Sequence, residues 1–161
     1  MTAAPFASHA EPVRPEWIDY NGHMNVAYYV VAFDNATDAF FDALGFDAAW
    51  RARTGRSFFA VEAHVRYLGE LRLGQRLAVE TRLLAADAKR LHYFHTMRAE
   101  GARPVAATFE CLSVHVDMAT RRAAPFDAAD LARAQAAAAA QALLPPPEGV
   151  GRAVSMRASR T

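Results

Sequence analysis

One cysteine, one lysine and almost no excess of either charge are what this chain has least of. The lone Cys111 excludes an intramolecular disulfide and any cysteine-based zinc knuckle. Lys and Arg number 18 against 17 Asp and Glu, a formal charge of +1. That balance excludes a protein that grips nucleic acid or an anionic membrane through bulk electrostatics. The longest apolar run, Val26 to Phe33, falls far short of the ~20 residues a membrane span needs. No Arg- or Lys-led apolar stretch opens the chain, so no signal peptide is expected and a reducing cytoplasm is the expected location.

The common catalytic signatures are missing as well. There is no G-x-S-x-G elbow, G-x-G-x-x-G fingerprint, phosphate-binding G-x-x-x-x-G-K-[ST] loop or H-E-x-x-H pair. Six histidines are scattered, and the close pair His92 and His95 falls on strand-like sequence. A three-residue offset there sends the rings to opposite faces, so no metal site is expected.

What is present is enough for one globular domain. The chain has 161 residues, 53% hydrophobic and 11% aromatic, the first figure inflated by runs such as Ala136 to Ala140. Residues 1–10 are expected to be irregular, 11–144 to form the domain and 145–161 to form a tail. That tail is a loose end or one added edge strand around Ala153 to Met156. After the Asn21-Gly22 turn, Val26, Tyr29, Val30, Phe33, Thr37, Phe40, Phe41 and Leu44 recur at three- and four-residue steps. They predict a long helix stopped at Gly45 and capped by Asn25 or Asn21.

Four strand-like segments follow. Phe59, Val61, Ala63, Val65 and Tyr67 alternate with Glu62, His64 and Arg66, and further strands are read around 77–83, 91–98 and 105–117. A second helix is predicted over 127–144, opened by Asp127 and stopped by Pro145-Pro146-Pro147. One long helix before four strands joined by short connections implies an α+β fold, an antiparallel sheet curled around the helix. Its open edges favour pairing with a second copy.

The polar groups concentrate in Asp19-Tyr20-Asn21-Gly22-His23-Met24-Asn25, directly before the apolar helix. A cap accounts for one or two such residues, not for all of them. The first turn of a helix presents unpaired N–H groups and a partial positive end. Such amides polarise a carbonyl and stabilise the oxyanion formed on attack. Asp19 is then placed to act as nucleophile or to activate water. A thioester suits this equipment because a thiolate leaves with little help from an acid.

Trp17-Ile18-Asp19-Tyr20-Asn21-Gly22-His23-Met24-Asn25, followed by Tyr28 and Tyr29, resembles the motif of hot-dog-fold acyl-CoA thioesterases of the 4-hydroxybenzoyl-CoA type. The resemblance continues through Val61 to Tyr67, Gly74, Asp87 to His92 and Gly149 to Arg152. It implies a long helix wrapped by a curved antiparallel sheet, a homodimer or tetramer built through the sheet, and active sites at the dimer interface. By position it makes Asp19 the acid before the helix and Gly22, His23, Met24 and Asn25 the turn facing the thioester. Relatives commonly carry a second Asn where this chain has Val26.

Glu62 is a rival essential carboxylate, with His64 beside it. His23 is a candidate to orient substrate or water. Lys89, Arg90, Arg121 and Arg122 are candidates for the phosphates of coenzyme A. Phe33, Tyr93 and Phe109 are candidates for an acyl pocket and equally for the core. The implied activity is hydrolysis of a small or medium acyl-CoA to carboxylate and free CoA, with no metal or redox cofactor. An enoyl-CoA hydratase or dehydratase of the same fold, or a non-catalytic acyl-CoA-binding module, are the alternatives. The betainyl-CoA thioesterase branch carries a similar Asp-Tyr-Asn-Gly-His-Met-Asn form.

Overall fold

The computed structural model describes residues 4–156. Strand β1 (Phe6–Pro12) leads into a 3-10 turn at Pro15–Trp17 and then α1 (Val26–Ala43). After these come α2 (Ala48–Thr54), β2 (Arg56–Tyr67), β3 (Arg76–Ala86), β4 (Arg90–Ala99) and β5 (Val105–Asp117). A short β6 (Arg122–Ala123) and α3 (Ala128–Gln141) complete the set. The strands form one antiparallel sheet in the order β1-β3-β4-β5-β2, with β6 hydrogen-bonded to β5. This is the expected α+β arrangement, a long helix against a large antiparallel sheet.

Helix α1 forms where its apolar residues recur. Tyr29, Ala32, Phe33, Ala36, Thr37, Phe40 and Phe41 are buried, and Leu44 is buried at the C-cap. Val26 and Val30 do not join that core. With Val31 they stay exposed on another side of the helix, Val26 by 56%. The core has two lobes. One gathers Trp17, Met24, Phe33, Leu71 and Met97; the other gathers Phe40, Phe46, Trp50, Tyr93 and Phe126 under α3.

Several expectations are corrected. The segment expected to be irregular contains β1, which takes the outer edge of β3. With that edge filled, β2 does not neighbour β3 in spite of the short connection. It lies at the far side of the sheet against β5. Helix α2 was not expected; it is capped by Asp47 and stopped by Gly55 in the left-handed region, and Trp50 donates to Asp130 of α3 at 2.8 Å.

A bulge at Val61 breaks the single alternation read along β2. Phe58 packs inward on Phe41, whereas Phe59 faces out, with the Arg121 guanidinium 5.1 Å from its ring centre. The predicted edge strand around Ala153 to Met156 does not form. Arg82 holds the carbonyls of Gln141 and Pro145 at 2.6 and 2.8 Å, and Gly151 donates to Glu110 at 2.7 Å, so the tail crosses the outer face of the sheet.

His95 shows how the core fixes a polar group. It is fully buried, 2.9 Å from the Thr37 hydroxyl and 2.7 Å from that of Thr81. Thr37 already donates to the Phe33 carbonyl, so His95 Nε2 donates to Thr37, and in the neutral ring that burial enforces Nδ1 is left to accept from Thr81. That burial pushes its pKa down from 6.5 to about 3. Below pH 6.5 the unfolded chain takes up a proton that the folded state refuses. Stability present at neutral pH is therefore lost as pH falls from 6.5 towards 3, at up to about 1.4 kcal/mol per unit from this residue. Urea unfolding at pH 7 and pH 5 should show that loss, and an NMR titration in which the folded His95 ring protonates near pH 6.5 would contradict it.

Candidate active site

The chain reaches α1 through a turn held by several backbone and side-chain hydrogen bonds. Gly22 takes φ +78°, which a side chain would strain, and its amide donates to the Asp19 carbonyl at 3.0 Å. Met24 donates to the Leu71 carbonyl at 2.7 Å and Asn25 to the Trp17 carbonyl at 2.9 Å. Asn25 is the N-cap, as expected: its side-chain oxygen accepts from the Ala27 amide at 3.0 Å. Its side-chain nitrogen donates to Asp19 Oδ2 at 3.0 Å, and the Asn21 amide donates to Oδ1 at 2.8 Å. The Asn21 amide, with help from Asn25 and His23, holds the Asp19 carboxyl below its ordinary pKa of 3.8. Asp19 is ionised at neutral pH.

Three amides in the stretch that enters α1, those of Tyr20, His23 and Val26, have no acceptor among the described residues, and the last two residues share a cavity. Both residues line a cavity of about 280 Å³ with Met24, Tyr29, Leu68 and Glu70. The amides of Gly22 and Met24, which the sequence also nominated, are consumed by the fold. Asp19 sits in the same turn without itself lining that cavity. Tyr29 closes one wall, its hydroxyl donating to the Gly69 carbonyl and accepting from the Leu71 amide.

Glu70 was missed by sequence reasoning. Its carboxylate lies 3.9 Å from His23 Nε2 and 2.8 Å from Arg72 Nη2, and the Arg72 hydrogen bond first, then His23, lower its pKa. It falls in the Gly69 to Gly74 stretch, which reads only as a break between strands.

The other candidates lie elsewhere. Glu62 and His64 share the outer face of β2 and line a cavity of about 550 Å³ with His92, Glu110 and the tail around Arg152. His92 is 2.7 Å from Glu110. Within one chain this cluster and the Asp19 turn line separate cavities. Lys89 and Arg90 stand in the β3–β4 turn, with Arg90 paired to Asp87. Arg121 and Arg122 stand at the β5–β6 turn. Arg90 pairs with Val114 and Arg122 with Asp117, so both pairs gather at one end of the sheet. Tyr67, whose hydroxyl donates to the Val26 carbonyl, pairs with Ala107 towards the opposite end. Among the described residues no group of three or more His, Cys, Asp or Glu is arranged to hold a metal ion.

Residues 13–139 match the family model of the thioesterase-like superfamily. The chain belongs to that superfamily. Among members of known activity, the betainyl-CoA thioesterase of Pseudomonas aeruginosa is 42% identical over 92% of this chain and 94% of its own length. The L-carnitine dehydrogenase/betainyl-CoA thioesterase of Ruegeria pomeroyi is also 42% identical, and there the match spans 30% of a longer protein. Among solved structures, a Staphylococcus aureus protein in complex with CoA superposes with a TM-score of 0.86 at 28% identity, over 98% of both chains. The fold is the hot-dog fold of these thioesterases, and by family the chain is a thioester hydrolase. No helix among the described residues is long and apolar enough to cross a membrane.

The cap is the most testable part of the superfamily's entry turn here. Asn25→Ala removes both the cap and one of the two contacts on Asp19, and should cost about 1 kcal/mol in urea unfolding. Gly22→Ala meets no atom within 4 Å but must hold a positive φ, and should cost ~1–2 kcal/mol. Unchanged stability in both variants would contradict the geometry given for the turn.

Proposed function

We propose that this chain hydrolyses an acyl-CoA thioester at the start of α1, with Asp19 as the essential carboxylate and the His23 and Val26 amides as the oxyanion hole. One observation carries the reading: His23 and Val26, whose amides have no acceptor among the described residues, line a cavity at the start of a helix, and the same turn holds an ionised carboxylate. The thioester oxygen accepts from the two amides. A water that passes a proton to Asp19 adds to the carbonyl carbon; where Asp19 itself adds, loss of the thiolate leaves a mixed anhydride that a water then hydrolyses to free the acid and Asp19. Each Asp19 oxygen has one hydrogen bond within the turn, which leaves lone pairs for that water. The tetrahedral intermediate collapses, the C–S bond breaks, and the proton taken from water ends on the thiolate or in solvent. No metal or redox group is needed.

The acyl group in this reading is small and of the betainyl kind, after the Pseudomonas aeruginosa relative. The working form is a homodimer joined across β2. Among the described residues that strand pairs only with β5, its stretch 60–63 is exposed with Val61 at 58%, and Val26, Val30 and Val31 of α1 are exposed too, the last two sharing a cavity with Phe58 and Ala60 of β2. A two-fold axis near the Val61 bulge brings the start of one α1 to the end of the twin sheet that carries Lys89, Arg90, Arg121 and Arg122, where CoA phosphates would find cations. A tetramer built from such dimers is compatible with this edge.

The test is thiol release from a panel of acyl-CoAs. Asp19→Asn should lower kcat by at least ~100-fold, as for a lost base, while Glu62→Gln keeps turnover within a few-fold of wild type. The reverse order would move the essential carboxylate to the outer face of the sheet.

A further inference from the structure

We infer that the outer face of the sheet carries an anion site beneath the C-terminal tail, built to take a phosphate group. The site is a cavity of about 210 Å³ that shares only Leu68 with the helix-start cavity, and the proposed hydrolysis makes no use of it.

The register of the sheet assembles it. Arg66 of β2 pairs with Thr108 of β5, Thr108 with Thr96 of β4, and Thr96 with Glu80 of β3, so the four stand in one row. Arg82 and Arg98 lie two residues further along β3 and β4, on the same face. Pro147 and Glu148 of the tail close the cavity. Gly149 follows at φ +93° and packs on Arg66; a Cβ there would stand 2.1 Å from Nη1.

Its donors are left over by the fold. Arg66 Nη1 and Arg82 Nε are buried without a hydrogen-bond partner among the described residues. Among those residues Arg66 makes no ion pair, and the side chains of Thr96 and of Thr108, the latter 4% exposed, make no hydrogen bond. Arg82 spends Nη1 and Nη2 on neutral tail carbonyls, and burial lowers its pKa with no facing carboxylate to raise it again. Glu80 is engaged by Arg98 at 3.4 Å, and Glu148 is exposed and pairs with no cation among the described residues. Three guanidinium groups against two carboxylates leave one positive charge over. A water satisfies an N–H but not a buried charge, whereas an oxyanion satisfies both. A guanidinium fork beside two hydroxyl donors matches phosphate, whose oxygens accept several directed bonds at once. A phosphate held there joins Arg66 of β2 to Arg82 of β3 beneath the tail, so its binding is linked to the docking of that tail.

The experiment is calorimetric titration of the full chain with inorganic phosphate at constant ionic strength. Wild type should bind phosphate saturably, Arg66→Gln should weaken binding at least ~10-fold, and Thr108→Val several-fold. Glu148→Gln should tighten it by removing like charge. Thermal unfolding without phosphate checks that each variant folds. Gly149→Ala, in the exposed part of the chain, gives a second route: its Cβ displaces Arg66 with no change of charge and should also weaken binding. Competition with 3′,5′-ADP separates the sources, displacement assigning the site to a nucleotide's phosphate and no displacement to the free ion. Absence of saturable binding in wild type, or binding unmoved in both Arg66→Gln and Gly149→Ala, overturns the site. A Glu148→Gln variant that loses stability and gains no affinity would make Glu148 the partner of Arg66, and overturns it too. None of these readouts uses thioester hydrolysis, so the two proposals fail separately.

Discussion

Entry into α1 depends on a turn held by several backbone and side-chain hydrogen bonds. Gly22 reverses the chain, Met24 is tied to Leu71, and Asn25 caps the helix while steadying Asp19. Among the backbone N–H groups the turn leaves over are those of His23 and Val26, two residues that line a cavity at the positive end of an eighteen-residue helix. Satisfying them within the chain would make this an ordinary cap. Leaving them free while fixing everything around them is how a fold holds donors ready for a charge that appears only during a reaction.

The same helix carries an apolar surface that the single chain leaves uncovered. Its inner stripe is buried by the sheet, yet Val26, Val30 and Val31 stay in solvent beside a strand with one unpaired edge. In the proposed homodimer a second copy covers that surface symmetrically. The outer face of the sheet is different in kind. There the tail is pinned to Glu110 and Arg82, and the His92–Glu110 pair lies beneath it.

Much of this was legible in residue order. The spacing of Tyr29, Phe33, Phe40 and Phe41 marks α1, Asn25 its cap and Asp127 the cap of α3. Strand β5 runs over the residues read for it, 105–117. Local pattern could not show that β1 occupies the free edge of β3, because pairing partners depend on the whole sheet. Nor could it show the Val61 bulge, which leaves composition untouched and changes which side Phe58 and Phe59 face. Helix α2 was hidden by its length, seven residues without a full apolar period. At the site, the motif located the turn but not which amides the fold spends, and Glu70 is brought to His23 by a loop rather than by sequence proximity.

A crystal structure with a non-hydrolysable ketone analogue of the acyl-CoA, methylene in place of sulfur, tests the central claim most directly. The carbonyl oxygen should lie within hydrogen-bonding distance of the His23 and Val26 amides. A carbonyl seated instead against Glu62 and His64, on the outer face of the sheet, would contradict the account.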